Sequence, residues 1–101
     1  MNKTFLIGNV GKDPEIKTTN NGKKVTNFTL ATTDHSGTQW HNIVAWEKTA
    51  EIVEKFVRKG SKLAVEGRIT YRQWDDKDGN KRSITEIVAD GVKLLTPKSD
   101  N

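Results

Sequence analysis

The stretch TQWHNIVAWEKTAEIVEKFVRKG, residues 38–60, changes its hydrophobic period once, and this change decides the predicted fold. Over Thr38–Trp46 the side chains alternate between two faces, which predicts a β-strand. Over Glu47–Lys59 apolar residues recur at helical spacing, which predicts an amphipathic helix with Thr49 as its N-cap and Gly60 as its stop signal. The predicted buried stripe of this helix consists of Ile52, Val53, Phe56 and Val57.

Strands are predicted on both sides of the helix. The five predicted strands are Thr4–Val10, Lys24–Thr33, Thr38–Trp46, Ser61–Trp74 and Arg82–Leu95. Asn20-Asn21-Gly22 and Asp78-Gly79 are typical of hairpin turns. The order β-β-β-α-β-β predicts an all-β fold, a five-stranded OB-fold Greek-key barrel with one short α-helix between strands 3 and 4. A β-sandwich is the alternative, and the position of the helix favours the barrel.

Length and composition limit the class of protein. The 101 residues suit one domain, predicted over 1–95, with a short polar C-terminal tail over 96–101. Hydrophobic residues make up 33% of the chain and its mean hydropathy is −0.73, so a membrane span and a signal peptide are not expected. Without cysteine, the chain has no disulfide framework, thiolate metal site or cysteine nucleophile. We expect a cytoplasmic protein that is not an enzyme and has no metal, cofactor or catalytic residue.

The charge balance favours an anionic partner. Seventeen Lys and Arg residues stand against thirteen Asp and Glu, which gives a net charge of +4. The candidate phosphate contacts are Lys3, Lys48, Arg58, Lys59, Lys62, Arg68, Arg72 and Arg82. Each of these residues alone is equally consistent with an ordinary solvated charge.

The tryptophans share strand faces with some of these cations. Trp40 and Trp46 lie on one face of their predicted strand, and Trp74 lies on a face with Arg68 and Arg72. The opposite, core-facing side of that strand is predicted to hold Leu63, Val65, Ile69 and Tyr71. Indole rings among guanidinium groups suit single-stranded nucleic acid, because bases stack on the rings while cations contact phosphates. Alternatively the tryptophans are buried, and the domain is a protein-interaction barrel.

Several sequence blocks resemble bacterial single-stranded DNA-binding proteins (SSB). The blocks are Phe5–Glu15, Val25–Thr32, Trp40–Trp46, Val57–Ser61 and Val65–Ile69. The resemblance covers roughly residues 2–95 and keeps the family's order and spacing. It implies an OB-fold protomer of a homotetramer that wraps single-stranded DNA during replication, recombination and repair, associated with the nucleoid through DNA.

The resemblance also implies residue roles. The family's base-stacking aromatics fall on Trp40, Trp46 and Trp74, and His41 falls on a histidine near the subunit interface. The first strand would pair across a dimer edge, with Phe5, Ile7 and Asn9 at the subunit interface.

The chain also departs from the family pattern. A further stacking tryptophan of some relatives has no counterpart near Asp34-His35-Ser36. The acidic tail that recruits partner proteins is missing, so such recruitment is not expected. Two other hypotheses remain: a dimeric primosomal accessory protein of similar fold, and a small hydrolase that uses Asp75, Asp76 and Asp78.

Overall fold

The computed structural model describes residues 1–96, which form six strands and one helix. The elements are β1 Thr4–Val10, β2 Glu15–Thr18, β3 Lys24–Asp34, β4 Gly37–Trp46, α1 Glu47–Phe56, β5 Lys62–Asp75 and β6 Lys81–Leu94. Of the predicted tail over 96–101, all but Thr96 lies outside the described residues. Within residues 1–96 no helix is long and apolar enough to cross a membrane.

The strands form a closed, uneven sheet, which confirms the predicted OB-fold. Its strand order is β1-β5-β6-β4-β3-β2, and a short pairing of β1 with β3 closes the barrel. All pairings are antiparallel except that of β4 with β6. The structure adds one strand to the five predicted, since Glu15–Thr18 pairs with the start of β3 across the turn at Gly22. This strand escaped prediction because its four residues include only one apolar side chain.

The core lies inside the barrel and beneath α1. Alternate residues of β3, β4 and β5 point inward, and Val53 and Val57 of the helical segment pack on them. The largest fully buried side chains are Leu30, Ile43, Leu63, Val53, Val57, Val65 and Thr26. Thr26 is the polar member of this set, and its hydroxyl donates a hydrogen bond of 2.7 Å to the carbonyl of Glu15. That bond fastens β2 to the barrel.

The ends of the helix differ from the prediction. Trp46 is the N-cap residue and makes no side-chain cap, while Thr49 lies inside the first turn, so the predicted N-cap is wrong. The helix ends at Phe56 rather than Lys59, because Val57 is extended (φ −100°, ψ 130°) and turns its side chain into the core. Gly60, with φ 87°, stands in the following turn. The helix is therefore three residues shorter than its periodicity indicates.

Two apolar residues of the predicted helical stripe are exposed. Ile52 and Phe56 face solvent, whereas Ala50 and Val53 of the helix are buried. Residues spaced by three and four positions share a helical face, so Ala50, Val53 and the adjoining Val57 form a narrow strip against the barrel. The sheet does not cover the neighbouring strip that carries Ile52 and Phe56.

The second half of β5 leaves the barrel. Its pairing with β1 ends at Gly67, and from Arg68 onward β5 pairs with β6 alone. No core lies beneath this hairpin, so Tyr71 is 73% exposed and its predicted place on the core side is wrong. The inward positions Leu63 and Val65 are buried as predicted. The hairpin projects the outward face of β5, including Trp74, beyond the barrel.

Candidate nucleic-acid interface

The strand register places the tryptophans on one outward surface. Residues paired across neighbouring strands point to the same side of a sheet. Val44 of β4 pairs with Val88 of β6, and Val88 pairs with Arg68 of β5. Trp40 and Trp46 share the face of Val44, and Trp74 shares the face of Arg68, because these positions differ by even numbers. We call this outward surface of β3, β4, β5 and β6 the aromatic face.

All three tryptophan rings on the aromatic face are exposed. Trp40 is 61% exposed, Trp46 41% and Trp74 42%. The alternative hypothesis of a protein-interaction barrel required buried tryptophans, and these exposures contradict it. Trp40 lies over the backbone at Gly11, where a Cβ atom would come within 2.6 Å of the ring carbon Cζ3. The edge of the barrel thus fixes the position of Trp40 while leaving most of its surface open.

Trp74 is covered on one side by an arginine. The guanidinium carbon of Arg72 lies 5.0 Å from the centroid of the Trp74 ring, within the range of a cation–π contact. The same guanidinium donates from Nε and Nη2 to the Glu86 carboxylate, at 3.0 Å and 3.4 Å. The hydrogen bond to Glu86 is the main cause that raises the pKa of Arg72 above its ordinary value. Glu86, Arg72 and Trp74 form a connected row across β6 and β5.

Two adjoining grooves run along the aromatic face and meet at Arg72 and Glu86. The smaller groove, of about 290 Å³, also contacts Lys12 and Lys17. The larger, of about 700 Å³, contains Trp46 and Tyr71. Neither these lysines nor Glu86 is among the site residues predicted from the sequence. The alternation of Glu15 and Lys17 was the available signal for Lys17, but it lies in the unpredicted strand β2.

The β5–β6 turn holds Arg82 beside the tryptophan of the hairpin. Arg82 pairs with Trp74 in the strand register, and its Nε donates to Asp76 at 2.9 Å. The Asp76 carboxylate also accepts from the backbone N–H groups of Asp78 and Asn80, each at 2.9 Å. The Asn80 hydrogen bond is the main cause that lowers the pKa of Asp76. The Asp76 carboxylate that the hydrolase hypothesis needs is thus engaged in forming the turn.

The structure divides the predicted cations into two groups. Arg68, Arg72 and Arg82 lie on the aromatic face, and Lys48 follows Trp46 by two residues at the start of α1. The remaining candidates, Arg58, Lys59, Lys62 and Lys3, lie around the α1–β5 loop and on the β1 side of the barrel.

Contacts within the barrel engage the charged groups of two members of this second group, Arg58 and Lys3. Arg58 donates from Nη1 to the carbonyls of Glu54 and Val57, at 2.7 and 2.8 Å. The backbone N–H of Lys59 donates to Asp13. Lys3 lies 2.6 Å from Glu66, and this hydrogen bond raises its pKa. The structure does not bring these cations together with the tryptophans.

A second exposed apolar surface lies on β1. Phe5 and Ile7 face solvent and border a groove of about 320 Å³. Asn9 points to the same side of β1 and donates from its amide to the carbonyl of Gly60 at 3.2 Å. One edge of β1 pairs with β5, and the other edge pairs with β3 only at Asn9 and Val10. Within residues 1–96, residues 4–8 therefore have no paired strand along that second edge. His41 is half-buried, and its Nε2 lies 2.8 Å from the hydroxyl of Thr32.

Comparison with known proteins gives one consistent result. A sequence model described as the single-strand binding protein family matches residues 1–95. The chain is 48% identical to a protein of Bacteroides thetaiotaomicron named single-stranded DNA-binding protein, with all of this chain and 70% of the relative aligned. It is 45% identical to single-stranded DNA-binding protein 1 of Chlorobaculum tepidum (97% and 67% aligned). A Rickettsia typhi protein named single-stranded DNA-binding protein is 46% identical (100% and 76% aligned). The chain belongs to the single-strand binding protein family.

Proposed function

We propose that this protein binds single-stranded DNA without sequence preference, as a non-enzymatic coat for strands exposed in replication, recombination and repair. The observation that carries the proposal is the aromatic face, where three exposed indole rings share one surface with Arg68, Arg72 and Arg82. Membership of the single-strand binding protein family and the names of the relatives support it. The binding domain consists of residues 1–95. The protein would lie in the cytoplasm, associated with the nucleoid through the DNA that it binds.

Stacking accounts for both affinity and sequence tolerance. Every base presents a π-face, so a ring accepts any base and contributes about 1–3 kcal/mol. Trp40, Trp46 and Trp74 are spread over β4 and the β5–β6 hairpin, so successive bases of one strand can reach different rings. A protein that binds the open strand and not the duplex shifts hairpins toward the open form by mass action, without ATP.

The phosphates would follow the cations that border the rings. Arg68, Arg82 and Lys48 lie on or beside the aromatic face, and the smaller groove adds Lys12 and Lys17. A DNA strand that continued around the barrel would reach the second group of predicted phosphate contacts, Arg58, Lys59, Lys62 and Lys3. Each phosphate neutralised by a cation releases counterions, so binding must weaken as salt is added.

The salt dependence provides the test of this path. In Lys12→Gln/Lys17→Gln the slope of log K against log[salt] for oligo-dT should decrease in magnitude by about 1.4, since each lost contact on a single strand removes about 0.7. Binding is followed by quenching of tryptophan emission. Lys55→Gln, an exposed lysine of α1, is the matched control and should keep the wild-type slope. Equal slopes in all three proteins would mean that the phosphates do not run along the smaller groove. Tryptophan emission that is not quenched by oligo-dT would contradict base stacking on the indole rings.

We also propose that the chain self-associates as a homotetramer, in which β1 forms one of the two-fold dimer interfaces. The exposed Phe5 and Ile7 and the unpaired edge of β1 support this. A two-fold interface contains each residue twice, so an apolar residue buried there contributes its burial free energy from both subunits.

A charge on the β1 surface should dissociate the assembly. For Ile7→Asp we expect a smaller sedimenting species than wild type at the same concentration, because burial of each isoleucine contributes about 1.5–3 kcal/mol. Ile52→Asp, at the exposed surface of α1, is the control and should sediment as wild type. A wild-type dimer would favour the primosomal accessory hypothesis over the tetramer. An unchanged Ile7→Asp species would place the interface elsewhere.

A further inference from the structure

An acidic side chain stands in the middle of the proposed anion-binding surface. Glu86 of β6 borders both grooves of the aromatic face, where a carboxylate repels phosphate. The proposed function consists of base stacking and phosphate contact, and Glu86 contributes to neither. The Glu86 side chain is only 10% exposed, so it packs against its neighbours instead of extending into solvent.

The geometry around Glu86 differs from that of the other ion pairs on this surface. Arg72 directs two nitrogens at the two oxygens of Glu86, at 3.0 Å and 3.4 Å. The carboxylate of the Arg68–Asp90 pair is 43% exposed, so water screens that pair far more strongly. A bidentate contact to a buried carboxylate fixes the plane of a guanidinium as well as its place.

The fixed guanidinium lies against a ring. Arg72 reaches its 5.0 Å position over Trp74 while it is bonded to Glu86, and 60% of its own side chain remains exposed. Released from Glu86, so exposed an arginine would sample many rotamers and could follow a phosphate. With Glu86 in place its charge is paired and one side of the indole is occupied.

We propose that Glu86 is a positioning residue: it holds Arg72 on one side of Trp74 and withholds that arginine from the phosphates. This inference rests on the proposed function, in which Trp74 stacks on a base. Trp74 then offers its other side to a single base, with the ring already oriented. Arg72 belongs to the stacking platform and not to the phosphate contacts predicted from sequence.

Salt titrations with oligo-dT test the withheld charge. Glu86→Gln keeps the shape of the side chain but weakens its hold on Arg72, and the slope of log K against log[salt] should steepen by about 0.7, the value of one new phosphate contact. Arg72→Ala should weaken binding with an unchanged slope. In Glu86→Gln/Arg72→Ala the steepening should vanish, because the released arginine causes it.

A matched control separates release of Arg72 from a change in net charge. Asp90→Asn removes one negative charge from the same strand, beside an arginine that is not over a ring. It should keep the wild-type slope. The proposal is overturned if Glu86→Gln leaves the slope unchanged, if Asp90→Asn steepens it equally, or if the steepening persists in the double variant.

A measurement without DNA tests the positioning on its own. In a Trp40→Phe/Trp46→Phe background Trp74 is the single tryptophan, and acrylamide quenching of tryptophan emission reports its accessibility. Arg72→Ala and Glu86→Gln should both raise the acrylamide quenching constant, and Asp90→Asn should not. Equal quenching in all four proteins would overturn the positioning role even where DNA binds. A clear rise would support it even if oligo-dT failed to bind and the proposed function fell.

Discussion

Trp46→Ala/Trp74→Ala is expected to weaken the binding of oligo-dT by about 2–6 kcal/mol, roughly thirtyfold to twenty-thousandfold. Each ring provides about 1–3 kcal/mol of stacking, and the two rings lie on different elements, so their losses should approximately add. Both rings are more than two-fifths exposed, so their removal leaves no cavity in the core. The loss should therefore appear in binding and not in folding.

Fluorescence anisotropy of a labelled oligo-dT measures this loss without depending on tryptophan emission. The control is Phe56→Ala, which removes an even more exposed aromatic ring from α1, outside the aromatic face. Phe56→Ala should bind as wild type, and circular dichroism should show the native strand content for both variants. If the double variant bound as tightly as Phe56→Ala, the rings would not be the platform and the proposed function would lose its mechanism.

The fold was predictable because local signals agree with the final barrel. The change of period at Glu47, the hairpin signals and the strand alternation around Trp40 each depend on neighbouring residues only. The failures arose where packing decides. Periodicity continues through Val57, yet the chain leaves the helix there, because the extended backbone of Val57 still fills the core. Tyr71 follows the core alternation, but no element covers that part of the hairpin.

The aromatic face was only partly predictable for a related reason. Alternation within one strand gave the outward faces of Trp40, Trp46 and Trp74, since that pattern is local. Lys12, Lys17 and Glu86 join the same surface only when the barrel closes and β6 lies beside β4. No spacing along the chain signals that proximity. The predicted cations fall on two parts of the barrel, because composition alone does not say which part of a barrel a lysine faces.

The position of the β5–β6 hairpin depends on one glycine. Opposite Glu66 and Gly67 the register of β6 shifts by one residue, a bulge that bends the paired strands. At Gly67 the strands come so close that a Cβ atom would lie 2.2 Å from the carbonyl oxygen of Val88. Beyond this point β5 runs out to Trp74. The same close approach therefore marks the point where β5 bends away from the barrel, and it directs the hairpin.

Gly67→Ala is expected to lower the free energy of unfolding by about 3 kcal/mol, the upper part of the usual range for overpacking, because the clashing atoms belong to the backbone and cannot rotate away. Denaturant titration at fixed protein concentration measures it. Gly91→Ala is the matched control, since Gly91 lies opposite Glu66 in the same pair of strands and a Cβ atom there meets nothing within 4 Å. It should change the free energy of unfolding by less than about 1 kcal/mol. Equal stability of the two variants would mean that the strands can separate at the bulge at little cost. The hairpin would then be a mobile arm, and Trp74 would have no fixed place on the aromatic face.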